Sequence, residues 1–145
     1  MRFGFGSKSS IPSPSGQLKH IRVLVIDDND EFCQLIRGLL EPDRFDVVAV
    51  NSPVKALELF SQDKYGFDLI LLDYFMPRLD GAKTFEWLRK LNPNIKVLIC
   101  SGADELQLRQ IVTQYGINGY IRKPFNINKG LDLINKVLSE STAGT

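Results

Sequence analysis

Short apolar runs alternate with segments of helical period along most of this chain. The runs IRVLVI, FDVVAV, DLILL, KVLIC and GYI have the length of strands and consist largely of β-branched residues and leucine. The segments after each run repeat apolar residues at helical spacing, as an amphipathic helix does. Such alternation requires parallel strands joined by right-handed crossovers, with helices on both faces of the sheet.

The number of these units limits the architecture further. Five strand–helix units are too few for a closed eight-stranded barrel. The third and fourth runs are almost continuously apolar, as expected of strands that are covered on both faces. We therefore predict an α/β domain with a flavodoxin-like, doubly wound (βα)5 parallel sheet and the strand order 2-1-3-4-5.

Several helix boundaries and inward faces can be predicted from local signals. Ser52 before Pro53 is typical of a helix start, and Gly116 is typical of a helix end. Gly130 should weaken the fifth helix by about 1 kcal/mol relative to alanine. Apolar spacing predicts these inward residues in the first helix and the fifth: Phe32, Leu35, Ile36 and Leu39; Ile127, Leu131, Ile134 and Leu138.

The two ends of the chain differ from its middle. Residues 1–19 are rich in serine, glycine and proline and predict a flexible tail or linker. Residues 20–140 hold the strand–helix pattern and predict one domain, and residues 141–145 predict a short C-terminal tail. The first ten residues lack the apolar core of a signal peptide, and no apolar run approaches the ~20 residues of a membrane span.

Charge and cysteine content exclude several classes of function. The formal net charge of +1 gives no electrostatic case for binding nucleic acid or an acidic membrane. Cys33 and Cys100 lie in apolar segments without a CxxC pair, so we expect buried thiols in a reducing compartment and no disulfide. We expect a cytoplasmic protein.

Polar side chains stand where the predicted strands end. Asp27 and Asp28 follow the first strand, Asp73 ends the third, Ser101 ends the fourth, and Lys123 follows the fifth. Ligand sites of open α/β sheets lie beyond the carboxyl ends of the strands, which share one edge. Each residue alone has a structural interpretation, such as a helix cap or a turn, but their concentration at one edge favours a functional site.

The three carboxylates at this edge predict a magnesium site. They repel one another, and at least one carboxyl pKa should be raised unless a cation neutralises them. Mg²⁺ prefers oxygen ligands and often uses one or two carboxylates together with phosphate oxygens. Zinc is disfavoured because the only histidine, His20, lies outside this edge and the cysteines have the wrong spacing.

Four motifs in this order resemble the receiver domain of response regulators in two-component and phosphorelay signalling. They are VLVIDDN, DLILLDYFMPRLDG, VLICSG and YIRKPF, and the resemblance covers about residues 21–138. It implies that Asp73 accepts a phosphoryl group from a histidine kinase or a histidine phosphotransfer protein. It also implies that Asp27, Asp28, Asp73 and the backbone carbonyl of Phe75 bind Mg²⁺.

The resemblance assigns roles to four further positions. Ser101 matches the switch hydroxyl and Lys123 the lysine that pairs with the phosphoryl group. Tyr120 matches the aromatic switch residue, and the peptide bond before Pro124 is typically cis in the family. Such a domain is a signalling phosphoacceptor rather than an enzyme with its own substrate.

Two expectations concern output and duration of the signal. We expect the downstream protein to contact the fourth helix, fifth strand and fifth helix, including Leu106, Ile111 and Tyr120. Phe75 is bulky and apolar where many relatives carry a polar residue, so it cannot orient a hydrolysing water. We therefore expect slow autodephosphorylation.

Two alternatives remain open. The residues after Lys123 suffice for a helix and a short tail, which favours a stand-alone receiver, but the domain could also derive from a larger hybrid kinase or multidomain regulator. A Mg²⁺-dependent phosphatase of the haloacid-dehalogenase type also uses a strand-ending aspartate. Those enzymes carry a second aspartate as general acid at the position of Phe75, which disfavours this class here.

Overall fold

A computed structural model describes residues 20–77 and 79–140 of the chain. The strands are β1 (Ile21–Ile26), β2 (Phe45–Val50), β3 (Leu69–Asp73), β4 (Lys96–Ser101) and β5 (Gly119–Arg122). The helices are α1 (Asp30–Leu40), α2 (Pro53–Gln62), α3 (Gly81–Leu91), α4 (Glu105–Tyr115) and α5 (Ile127–Ser139). The predicted tails, residues 1–19 and 141–145, lie outside the described residues.

The strands form one parallel sheet in the order β2-β1-β3-β4-β5. This is the predicted flavodoxin-like order. Strand β1 lies between β2 and β3 and pairs with both, and Ile26 lies opposite Leu72. All five strands point the same way, so their carboxyl ends form a single edge.

The sheet separates two hydrophobic clusters, because successive side chains of a strand face opposite sides. In β1, Val23 and Val25 face the cluster beneath α1 and α5, whereas Leu24 and Ile26 face the cluster beneath α2, α3 and α4. Both faces are covered, which explains the continuous apolar runs.

The helix-end predictions are confirmed, but two inward-face predictions are wrong. Ser52 caps α2 with Pro53 in its first turn, and Gly116 ends α4 with a φ of 68°. Leu35 of α1 is 47% exposed and Ile127 of α5 is 38% exposed. The buried stripes are displaced around the helices and centre on these residues instead: Phe32, Cys33, Ile36 and Leu40 in α1; Gly130, Ile134 and Val137 in α5.

Gly130 has a packing role that its helix propensity does not reveal. A Cβ atom at this position would lie 2.5 Å from Cζ of Phe125, so the missing side chain leaves room for that ring. Cys33 and Cys100 are buried and unbridged, as predicted. Within residues 20–77 and 79–140, no helix is both long and apolar enough to cross a bilayer.

Candidate functional site

The carboxyl edge of the sheet brings three acidic side chains together. Asp27 directly follows β1 and Asp73 ends β3, and these two strands are neighbours in the sheet. One carboxylate oxygen from each of Asp27, Asp28 and Asp73 lies within 4.8 Å of the others. Asp27 is buried and Asp28 is exposed, so the cluster extends from the protein interior to solvent.

Backbone amides donate hydrogen bonds that fix the loop between β1 and α1, which carries Asp27 and Asp28. The amide of Asn29 donates to Oδ1 of Asp27 at 2.9 Å, and the amide of Phe32 donates to Oδ1 of Asn29 at 2.9 Å. Asn29 is therefore the N-cap of α1. The cap ties the position of the first helical turn to that of the buried carboxylate.

Lys123 reaches the acidic cluster from the end of β5. Its Nζ lies 2.8 Å from Oδ2 of Asp27 and 3.7 Å from Oδ2 of Asp73. Burial by itself lowers the pKa of the Lys123 ammonium, but the hydrogen bond to Asp27 and the charges of Asp73 and Asp27 outweigh it and raise the pKa above its ordinary value. Lys123 therefore stays charged, and its peptide bond to Pro124 is cis, as the resemblance implied.

In this cluster the pKa of the Asp73 carboxyl is strongly perturbed by its surroundings. Burial and the charge of Asp27 raise its pKa to about 6, although Lys123 and the amide of Phe75 oppose the shift. This amide donates to Oδ1 of Asp73 at 3.2 Å. The sequence predicts such a shift from the clustering of carboxylates, and Asp73 remains mostly ionised at neutral pH.

The two candidate switch residues occupy different positions relative to the cluster. Ser101 is buried at the end of β4, and its Oγ accepts a hydrogen bond from the amide of Ala103 at 3.0 Å. The hydroxyl of Tyr120 donates to Oε2 of Glu105 at 3.0 Å, and Arg109 donates to the same oxygen at 2.9 Å. Tyr120 is thus tied to the exposed first turn of α4.

The remaining predicted residues line the surface around the site. Phe75 is 45% exposed, and its ring contacts that of Tyr74 edge-on, with the centroids 5.3 Å apart. Leu106 is 66% exposed on α4, as expected of a docking residue. Ile111 is partly buried against the core, so its contribution to an exposed surface is smaller than predicted.

Two residues near the site have structural roles that were not predicted from the sequence. A Cβ atom on Gly81 would lie 2.6 Å from the carbonyl oxygen of Tyr74, so the glycine after Asp80 permits α3 to begin directly against the turn that follows Asp73. The ring of Phe32 lies beneath Lys123, with Nζ 4.2 Å from the centroid. The glycine could have been found from the Asp–Gly pair, but the aromatic contact had no local signal.

The fold and the acidic cluster at its carboxyl edge define a doubly wound domain of the two-component signalling class. The chain belongs to the response regulator receiver domain family, whose profile matches residues 23–135. The resemblance inferred from the four motifs is therefore confirmed.

Individual relatives support the same assignment. The chain is 27% identical over 119 residues to the chemotaxis protein CheY of Bacillus subtilis, which covers 81% of this chain and 98% of that protein. It is 30% identical over 122 residues to the transcriptional regulatory protein CpxR homolog of Haemophilus influenzae, which covers 84% of this chain and 52% of the relative. The chain thus spans about half the length of the CpxR relatives.

Solved structures agree with the fold. A response regulator receiver domain protein from Clostridium thermocellum superposes with a TM-score of 0.74 at 29% identity, covering 81% of this chain and 94% of that one. The receiver domain of the Francisella response regulator 1452 superposes with a TM-score of 0.73 at 30% identity, covering 82% and 97%.

Proposed function

We propose that the protein is a phosphoacceptor whose Asp73 takes a phosphoryl group from a histidine kinase or a histidine phosphotransfer protein. The observation that carries this proposal is the position of Asp73, with Asp27 and Asp28 on one side and the Lys123 ammonium 3.7 Å away. An ionised carboxylate is a competent acceptor of a phosphoryl group.

The transfer needs no general base on this chain. An oxygen of Asp73 forms a bond to phosphorus while the phosphorus–nitrogen bond of the donor phosphohistidine breaks, and its electron pair returns to the imidazole. With a pKa of about 6, Asp73 is mostly ionised at neutral pH before it attacks. The ammonium of Lys123 is close enough to stabilise negative charge on the transferred phosphoryl oxygens.

The donor set around Asp73 fits a magnesium ion. Asp27, Asp28 and Asp73 offer carboxylate oxygens, which are ligands that Mg²⁺ accepts, and we propose the backbone carbonyl of Phe75 as a further ligand. When bound, Mg²⁺ would neutralise the carboxylates and stabilise charge on the phosphoryl group. Lys123 already neutralises part of this charge through Asp27.

Modification of Asp73 would change which surface the domain presents. Phosphorylation adds close to two negative charges and new acceptor oxygens. The hydroxyl of Ser101 could donate to them, and the space that it leaves could admit Tyr120 after release from Glu105. We propose that a downstream protein reads this change at α4, β5 and α5, where Leu106 is exposed.

The proposal also covers the type of protein, its location and its domain context. The domain acts as a signalling phosphoacceptor in the cytoplasm and not as an enzyme with a separate substrate. Relatives include both a CheY, matched over nearly its whole length, and CpxR proteins, matched over about half of theirs. Both a stand-alone receiver and a receiver within a larger regulator are therefore compatible proposals.

The decisive experiment is intact-mass analysis after incubation with acetyl phosphate and Mg²⁺. Asp73 should gain one phosphoryl group as acetate leaves, and Asp73→Asn should gain none. Asp104→Asn is a matched control, because Asp104 caps α4 and asparagine caps helices equally well. Unchanged labelling of Asp73→Asn would overturn the proposed acceptor, and labelling that persists after removal of Mg²⁺ by a chelator would overturn the proposed role of the metal.

A further inference from the structure

We propose that Phe32 is a positioning residue whose ring face holds the ammonium of Lys123 in place for phosphoryl transfer to Asp73. This inference rests on the function proposed above. It begins from a contact that the pairing of charges does not explain, because Nζ of Lys123 lies 4.2 Å from the centroid of the Phe32 ring.

The distance is that of a cation–π interaction. The face of an aromatic ring carries partial negative charge and attracts an ammonium within about 6 Å of its centroid. Phe32 is buried and the side chain of Lys123 is only 23% exposed, so little water competes for the charge. The ring is therefore a further attractive neighbour of Lys123, beside the carboxylates of Asp27 and Asp73.

A closed ring of contacts joins Phe32, Lys123, Asp27 and Asn29. Lys123 donates to Oδ2 of Asp27, while Oδ1 of Asp27 accepts from the amide of Asn29. Oδ1 of Asn29 in turn accepts from the amide of Phe32, whose ring contacts Lys123. The position of the ammonium is thereby set from two directions by one short stretch of chain.

The ring itself is held from behind. Phe125 meets Phe32 edge-on, with the centroids 6.2 Å apart and the planes at 79°. Gly130 gives Phe125 the room it occupies, since a Cβ atom there would lie 2.5 Å from its ring. Phe125 lies two residues after Lys123 in sequence, so one short segment carries both the lysine and the ring that supports its aromatic partner.

An aromatic ring suits a lysine that must change partners. The ammonium bonds Asp27 at 2.8 Å and must approach phosphoryl oxygens on Asp73, whose Oδ2 is now 3.7 Å away. A polar side chain in place of Phe32 would hold Nζ at one point by a hydrogen bond. An aliphatic side chain there would shield the ammonium from water without attracting its charge. A ring face allows Nζ to shift across it while the attraction persists.

The test compares the rate of Asp73 phosphorylation by acetyl phosphate, in saturating Mg²⁺, among variants of the full chain. Phe32→Leu keeps apolar volume and removes the ring, and should slow the rate roughly three- to tenfold with unchanged final stoichiometry. Phe32→Tyr keeps the ring and should stay within about twofold of the wild type.

Phe85→Leu is the matched control. Phe85 is equally buried and lies under a cation, with the guanidinium carbon of Arg89 4.7 Å from its centroid, but it belongs to α3 in the other hydrophobic cluster. Its replacement should lower stability without slowing phosphorylation. A second readout follows the Lys123 ε-methylene protons by NMR, which should lose the upfield shift caused by the ring in Phe32→Leu only.

The outcomes separate this inference from the proposed function. Absence of a phosphoryl group on wild-type Asp73 would refute the proposed function and this inference with it. Normal labelling of the wild type with equal rates in Phe32→Leu and Phe85→Leu, or a Tyr variant as slow as the Leu variant, would refute this inference alone. If Phe32→Leu does not fold, fluorinated phenylalanines at position 32 weaken the ring face at nearly constant volume, and the rate should fall stepwise with fluorination.

Discussion

The ammonium of Lys123 is hydrogen-bonded to the buried carboxylate of Asp27 at 2.8 Å. Oδ2 of Asp73 lies farther from the same nitrogen, at 3.7 Å, so the ammonium offsets the negative charge of Asp73 less than that of Asp27. Asp27 thus has the shorter ion pair with Lys123, and the pKa of Asp73 rises to about 6 as burial and Asp27 act on it. Of the two carboxylates that Lys123 contacts, the proposed phosphoacceptor is the one with the longer ion pair.

Replacement of Asp73 should therefore stabilise the protein in the absence of Mg²⁺. The carboxyl binds its proton with a pKa of about 6 when folded, against an ordinary value of 3.8, so the folded state holds more protons between these limits. Stability then falls as pH rises through this window. Asp73→Asn should raise the free energy of unfolding at pH 7.5 by on the order of 1–3 kcal/mol.

Urea denaturation at several pH values checks this prediction. The gain from Asp73→Asn should be much smaller near pH 4, where the folded carboxyl is protonated and the unfolded one, with its ordinary pKa of 3.8, is already partly protonated. Excess Mg²⁺ should stabilise the wild type more than the variant and reduce the difference at pH 7.5. A gain that is the same at both pH values would show that charge repulsion at Asp73 is not its cause.

The edge of the sheet could be predicted from sequence because parallel strands bring their ends together wherever they lie in the chain. Which face of each helix is buried was harder to predict. Leu35 fits an apolar stripe as well as its neighbours do, and only the docking of α1 on the sheet decides that it is exposed. The contact between Phe32 and Lys123 joins residues far apart in sequence, and nothing local to either one indicates it.

Gly81 should tolerate no side chain. A Cβ atom would lie 2.6 Å from the carbonyl oxygen of Tyr74 and 2.7 Å from its ring, and the backbone atom cannot simply rotate away. We expect Gly81→Ala to destabilise the protein by roughly 1–3 kcal/mol in urea denaturation. Gly38→Ala is the control: nothing lies within 4 Å of its added Cβ in α1, and it should gain about 1 kcal/mol of helix propensity. Equal effects of the two substitutions would contradict the packing argument.

The link between Tyr120 and Glu105 should hold the aromatic ring near α4. Hydrogen bonds from Tyr120 and Arg109 lower the pKa of Glu105, so the link persists above its ordinary pKa and is lost as pH falls through the lowered value. Glu105→Ala should free the ring at neutral pH, which NMR relaxation of the Tyr120 ring carbons would report as increased motion. Arg109→Ala removes only the second donor and should have a smaller effect. Unchanged motion in Glu105→Ala would show that the hydrogen bond does not restrain the ring.

Leu106 and Ile111 should respond differently to a charge. Leu106 is 66% exposed, so Leu106→Asp should change the free energy of unfolding by less than about 0.5 kcal/mol. Ile111 packs partly against the core, and Ile111→Asp should cost on the order of 1–3 kcal/mol. Urea denaturation of both variants checks this, and a large cost for Leu106→Asp would mean that its side chain is packed. Leu106→Asp is accordingly the suitable variant for probing the proposed docking face.

Phe75 should prolong the lifetime of the phosphoryl group on Asp73. Its amide donates a hydrogen bond to the Asp73 carboxylate at 3.2 Å, so its side chain leaves the backbone beside the site, and the residue is 45% exposed. A hydrolysing water must approach phosphorus in line with the departing carboxylate oxygen. An apolar ring beside that path cannot hold a water by hydrogen bonding, whereas asparagine can donate to it and accept from it.

Phe75→Asn should therefore dephosphorylate faster than the wild type in excess Mg²⁺, by roughly three- to tenfold if it contributes one good hydrogen bond to the water. The decay of the phosphorylated form is followed by intact mass after removal of acetyl phosphate. Phe75→Leu separates the two possible causes, because it reduces the bulk without adding a polar group. A faster Phe75→Leu would show that the ring excludes water by size, whereas equal decay in the wild type and both variants would show that Phe75 does not control access to the phosphorus. Tyr65→Asn, an equally drastic change at a ring that is 71% exposed between α2 and β3, should leave the lifetime unchanged.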